Sequence, residues 1–164
     1  MLDVDIKGLI QKLNRFSTKA LEGAAGQCIS RGHYEITVEH VLLAFLEDPE
    51  ADVQKILHHY GISPARPLAA LQRSLDRLKS GNTGRPVFSP MLLEWLQDAW
   101  LLTSVEHVDT RIRSGHLFLV ILLRPDRYTS DDITPLFDGV KRDELRRDFY
   151  RICGGSKEAE APPA

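Results

Sequence analysis

The chain has 164 residues, 43% of them hydrophobic and 27% charged, with 21 basic residues against 23 acidic ones. That length suits one domain or two very small ones, and that balance belongs to a globular chain, not a disordered one. Neither half is strongly basic (10 basic and 10 acidic residues up to Ser80, 11 and 13 after it), so bulk charge excludes nucleic acid as the expected partner. No apolar run reaches the roughly 18 residues of a membrane helix. The acidic start Met1-Leu2-Asp3-Val4-Asp5 is unlike a signal peptide. Two cysteines, Cys28 and Cys153, make no disulfide framework; each falls in an apolar helical pattern and reads as a small core side chain of a cytosolic protein.

In chain order the dominant period is helical. Ile6, Leu9, Ile10 and Leu13 come at helical spacing. Over 16–31, Phe16, Ala20, Leu21, Ala24, Cys28 and Ile29 make one apolar face, with Gly23, Ala24, Ala25 and Gly26 small enough for a neighbouring helix to come close. Thr37 is placed to cap an apolar helix over 38–46, which Asp48-Pro49 ends. A helix over about 50–59 closes at Gly61, and Ser63-Pro64 opens another carrying Leu68, Leu71, Leu75 and Leu78. The breaker run 79–87 reads as a linker. Ser89-Pro90 then opens a long helix with Leu92, Leu93, Leu96, Ala99, Trp100 and Thr103. Ser114 is placed to cap the apolar helix 115–123, stopped by Pro125; a short helix near 131–138 and a last one over 141–152 follow. From Gly154 to Ala164 no apolar period survives, which predicts a flexible linker. No segment alternates as a strand would.

The two halves repeat. At an offset of 76, Ile36, His40, Leu43, Leu46 and Pro49 meet Ile112, His116, Leu119, Leu122 and Pro125, five identities in 14 residues. A duplicated helical unit packed about a pseudo-twofold axis follows.

Reactive chemistry is missing from this inventory. There is no phosphate-cradling P-loop and no nucleophile elbow. Cys28 and His33 lie across a predicted helix end, and His58-His59 point to different sides, so no metal or cofactor is expected. His40 and His116, each in the first turn of an apolar helix, read as core histidines bonded to backbone, not as catalysts. Lys141, Arg142, Arg146, Arg147 and Arg151 alternate with Asp143, Glu144 and Asp148 as on a solvated, ion-paired face, with Asp143 and Arg147 at i,i+4.

The sequence resembles the Clp N-terminal domain family through Thr-Val-Glu-His-Val-Leu-Leu-Ala-Phe-Leu (37–46) and Ser-Gly-His-Leu-Phe-Leu-Val-Ile-Leu-Leu (114–123), over roughly residues 10–153. Its similarity to the ClpV branch, the AAA+ ATPases of type VI secretion, rests on Ile6–Leu13, Lys19-Ala20-Leu21-Glu22-Gly23-Ala24, Phe88-Ser89-Pro90 with Glu94-Trp95-Leu96-Gln97-Asp98-Ala99-Trp100, Arg113-Ser114-Gly115-His116 and Arg151-Ile152-Cys153-Gly154-Gly155-Ser156. The resemblance implies an all-α fold of two pseudo-symmetric four-helix repeats with an extra N-terminal helix. The segments are then an extra helix over 1–14, repeats over 15–79 and 89–153, a linker over 80–88, and a linker over 154–164 toward ATPase modules absent from this sequence.

It further implies a non-enzymatic recognition domain that binds an N-terminal helix of the larger sheath subunit, so that a hexameric ATPase ring can pull the contracted sheath apart in the bacterial cytoplasm. Neither nucleic acid nor membrane is an expected partner. Alternatives are the N-domain of a general Clp unfoldase that takes adaptors or unfolded segments, or a free-standing helical scaffold. The expected partner-binding residues are Leu9, Leu13, Phe16, Ala20 and Phe88. The first four step by four, three and four residues and form one stripe if helical geometry runs on through Asn14. The extra helix laid beside the first repeat helix would leave a trough, with Phe88 as one wall.

Overall fold

Two helices that are apolar on nearly every side organise the molecule. The computed structural model describes residues 5–159. In it, α3 (Val38–Leu46) and α7 (Ser114–Leu123) are buried on almost every face. Leu42, Phe45 and Leu46 of α3, and Phe118 and Leu119 of α7, have no exposed surface. Burying one such side chain stabilises by about 1.5–3 kcal/mol.

Around α3 stand α2 (Arg15–Ser30), α4 (Asp52–His59) and α5 (Ala65–Asp76). Around α7 stand α6 (Pro90–Leu101), α8 (Pro125–Tyr128) and α9 (Arg142–Arg147), while α10 (Phe149–Ile152) packs on α9 and α4 and stacks its Phe149 ring on His116 of α7. A short helix, α1 (Ile6–Lys12), precedes both halves. The fold is all-α and duplicated, with its second half more broken than its first.

The duplication is exact enough to repeat individual hydrogen bonds. The Thr37 N–H donates to His40 Nδ1 at 3.0 Å, and the Arg113 N–H donates to His116 Nδ1 at 3.0 Å. The Asn14 side chain caps α2 by accepting from the Ser17 N–H; the Ser89 side chain caps α6 by accepting from the Leu92 N–H. Each cap also crosses to the other half. The Asn14 N–H donates to the Ile112 carbonyl (2.9 Å), and the Ser89 N–H donates to the Ile36 carbonyl (3.0 Å). Ile36 and Ile112 stand at the offset of 76, so the seam between the halves is itself pseudo-symmetric.

Several expectations need correction. Two short strands, β1 (Glu35–Ile36) and β2 (Val87–Phe88), pair in parallel across the seam, and Leu13 bridges Ile112 in the same manner. Two-residue strands are too short to show alternation. Val87 and Phe88 therefore belong to this ladder and not to free linker. The α6 helix does not simply end but widens into a π-helical turn over Leu102–Glu106, which holds Thr103. The expected helix over 141–152 is interrupted at Asp148, whose backbone (φ −106°, ψ 24°) leaves the helical region. Asp143 does not pair with Arg147; Arg147 and Arg151 both pair with Asp148, and Arg146 pairs with Glu106.

The last difference is the largest. Residues 154–159, expected as flexible linker, fold back onto the domain: the Lys157 N–H donates to the Glu50 carbonyl at 2.8 Å, and Glu158 is buried. Residues 1–4 of the extra N-terminal segment and 160–164 of the tail lie outside the described residues.

Candidate interaction surface

The expected stripe along the first twenty residues is broken by backbone geometry. Leu13 (φ −67°, ψ 144°) and Asn14 (φ −71°, ψ 173°) are extended, because Leu13 joins the bridge to Ile112 and Asn14 caps α2. Helical phase is lost between Leu9 and Phe16. Nor does α1 lie principally beside α2. It packs on α6 in the second half, where the Lys12 ammonium sits 5.0 Å above the Trp100 ring.

The five expected residues consequently divide. Leu9 and Leu13 are 5% exposed and Ala20 9%, while Phe16 and Phe88 keep partly exposed rings. Phe16 is the outer end of an aromatic chain running inward through Phe45 (centroids 6.0 Å) to Trp95 (6.2 Å). Phe88 stands on the β1–β2 ladder, one residue before the Ser89 cap, as Leu13 stands before the Asn14 cap.

One face of α2 is exposed and rich in small residues. Lys19, Glu22, Gly23 and Gly26 face outward, with Ile29 58% exposed near the C-terminal end. A Cβ built on Gly23 or Gly26 would meet nothing within 4 Å among the described residues. The small residues therefore divide: Ala24 is buried where α3 packs against α2, as a close helix approach requires, while Gly23 and Gly26 face away from it. At the N-terminal end of α2 a hollow beside Phe16 is lined by Asn14, Arg15, Lys19, Lys157 and Glu158.

The histidines are structural relays. Because His40 Nδ1 accepts from the Thr37 N–H, the proton of the neutral ring sits on Nε2 and is donated to His33 Nδ1 at 2.9 Å. Burial first, then the neighbouring His33 and Arg31, lowers the His40 pKa to about 4. His116 likewise accepts at Nδ1 and places Nε2 3.3 Å from the Tyr150 hydroxyl, which donates to Asp109 at 2.7 Å. Burial above all lowers its pKa to about 3. The structure also brings Cys28, His33 and His40 together, with ligand atoms within 4.8 Å of one another. A metal there would need His40 Nε2 free of its proton while Nδ1 still accepts from backbone, which is an imidazolate. The Cys28 thiol donates to the Glu35 carbonyl (3.2 Å), and burial raises its pKa. The donor set fits a hydrogen-bond relay better than a metal.

The second buried polar cluster lies at the seam and was not legible in the sequence. Arg113 grips Asp52 with two hydrogen bonds, Nε to Oδ2 at 2.9 Å and Nη2 to Oδ1 at 2.7 Å, and Asp52 has no exposed surface. The Gly115 N–H adds a third bond to Asp52 at 3.1 Å. Beside this pair, the Glu158 carboxylate accepts from the Asp52 N–H (2.8 Å), the Ser114 N–H (2.8 Å), the Ser114 hydroxyl and the Asn14 side-chain amide (3.0 Å). Glu158 thus supplies the caps that the helices lack. Neither α4 nor α7 has a hydrogen bond from its own N-cap side chain, and Ser114, expected as a cap, is the first residue of α7. A lone glutamate in a polar tail gives no sequence signal for this role.

These features define a duplicated helical module, and comparison with known proteins identifies its class. The Clp repeat N-terminal domain model matches residues 12–131, and the chain belongs to that family. The match is to an N-terminal repeat domain and not to an ATPase module. The chain is 39% identical to the N-domain of ClpV from Vibrio cholerae, covering 96% of this chain and 95% of that one, with a TM-score of 0.90. A structure described as a complex of ClpV N-domain with VipB peptide matches at 38% identity, 96% and 97% coverage and a TM-score of 0.86. The AAA+ ATPase ClpV1 of Pseudomonas aeruginosa is 30% identical over 159 residues, 96% of this chain but only 18% of that protein's length.

Proposed function

We propose that this chain is the substrate-recognition domain of a ClpV-type AAA+ ATPase, working in the bacterial cytoplasm. In this reading it binds an amphipathic N-terminal helix of the larger type VI sheath subunit. ATPase modules downstream, assembled as a hexameric ring, then dismantle the contracted sheath. The observation that carries the reading is the likeness, along nearly the whole length of both chains, to the ClpV N-domain complex with VipB peptide. The local chemistry agrees, since helix-in-groove binding needs an accessible apolar and small-residue face and no reactive group.

The partner helix lies along the open face of α2, over Gly23 and Gly26, with Phe16 as an aromatic anchor. Ala20 backs the site from the buried side of α2, Leu9 and Leu13 belong to the core, and Phe88 limits the site on the side of the seam. The test is calorimetric titration of sheath-subunit N-terminal peptides into the domain and into Gly26→Leu. Leucine fills space that the domain itself leaves open, and replacing a mid-helix glycine stabilises α2 by up to about 1 kcal/mol. The variant is expected to fold at least as well as the parent and to bind at least tenfold more weakly. Unchanged affinity in Gly26→Leu and in Phe16→Glu would refute the site. Equal binding of unrelated unfolded segments would favour the general-unfoldase reading.

A further inference from the structure

Glu158 lies six residues beyond the last helix, yet it is 4% exposed and its carboxylate meets three helix N-termini. It takes the first N–H of α4 and the first N–H of α7 directly, and it takes the side-chain amide of Asn14, the cap of α2. Two of these helices belong to the first half and one to the second. Its neighbours in the tail join in. Lys157 bonds the Glu50 carbonyl through its N–H, pairs with Asp48 through its ammonium, and holds that ammonium 5.0 Å above the Phe16 ring. Ser156 is 6% exposed and turns the segment by accepting from the Glu158 and Ala159 N–H groups. Upstream, Arg113 anchors the start of the turn by donating to the Cys153 carbonyl at 3.1 Å.

We propose that Ser156–Ala159 is a strap that binds the chain leaving α10 across the seam between the two halves, with the Glu158 carboxylate as its clasp. Two physical points favour it. A segment whose one apolar side chain is a half-buried alanine stays down only if polar bonds hold it, and a single carboxylate that receives four donors is an efficient way to do so. The capped helices need it in return, because a helix end buried without a partner is costly. On the functional reading above, the strap fixes where the chain toward the ATPase modules departs: from the α4–α7 seam, instead of swinging from the end of α10.

The strap has a direct readout. The Asp52 and Ser114 amides find their acceptor in Glu158, so their protection from hydrogen exchange reports the clasp. In the native chain both amides and those of 156–159 are expected to be protected. In Glu158→Ala, exchange at Asp52 and Ser114 is expected to rise by at least about tenfold, while core amides of α3 stay protected and circular dichroism shows the fold intact. A nitroxide on Ala159→Cys supplies the second measurement, since the native cysteines are both buried. It should broaden signals near Glu50 and Phe16, and Glu158→Ala should abolish the broadening. Native exchange at Asp52 and Ser114 as fast as in an unstructured peptide would overturn the strap, as would equal protection in Glu158→Ala. No partner is present in either measurement, so failure here leaves the sheath-peptide reading standing, and the reverse also holds.

Discussion

Removing the Arg113 guanidinium is expected to be the most damaging single change to the seam. Arg113→Met keeps most of the side chain's volume and apolar stem but leaves the Asp52 carboxylate with one remaining N–H donor, from Gly115, and no exposed surface. A buried charge stripped of its partner costs about 3–5 kcal/mol. For a chain of this size each kcal/mol moves the melting temperature by about 2–4 °C, so a fall of roughly 6–20 °C is expected. The ion pair as a whole is worth far less than that, because desolvating both charges offsets most of their attraction. The double variant Asp52→Leu/Arg113→Met should therefore recover most of the loss, with a coupling energy of at least about 2 kcal/mol. Urea unfolding followed by circular dichroism measures all three variants and the parent. A single-variant loss under about 1 kcal/mol, or losses that merely add in the double variant, would refute the argument that Asp52 depends on Arg113.

Gly115→Ala should also destabilise, by about 1–3 kcal/mol, because its Cβ would stand 2.8 Å from Asp52 Oδ2 and 2.8 Å from the Phe149 ring; an unchanged unfolding midpoint would show that the seam can relax around a methyl group. Lowering the pH from 6.5 to 5 should weaken the fold. His40 and His116 have depressed folded pKa values, about 4 and about 3, so below 6.5 the unfolded chain takes up protons that the folded one refuses, and each histidine costs up to about 1.4 kcal/mol per pH unit. Glu158 opposes them in the same window. Burial and the Asp52 charge raise its carboxyl to about 7 despite the Ser114 and Asp52 donors, so the docked form gains a proton as pH falls, and Glu158→Gln should steepen the acid loss. A flat profile between pH 6.5 and 5 would contradict the histidine assignment. Finally, Cys28 and Cys153 have no exposed surface and raised pKa values, so a thiol reagent should modify neither until the domain unfolds; prompt native labelling would mean that their surroundings open locally.

Much of this protein is local, and what is local was legible. Apolar runs bounded by Thr37, Ser89, Pro49 and Pro125 specify helices wherever they stand, since capping and proline sterics act within a single turn. The shared spacing of Ile36, His40 and Pro49 with Ile112, His116 and Pro125 exposed the duplication, because repeated packing demands repeated residue types. Tertiary structure decided the rest. The Leu13–Asn14 corner depends on an acceptor about a hundred residues away, the Ile112 carbonyl, so a stripe counted along the chain ran straight through a bend. Which face of α2 is core and which is open depends on α3 packing against it, and that assigned Ala20 to the interior and Gly23 and Gly26 to the surface. The tail is the clearest case. Ser156, Lys157 and Glu158 have no apolar period, and a polar segment reads as linker until the donors that hold it, at Asn14, Asp52 and Ser114, have been gathered from three separate helices by the packing of the two halves.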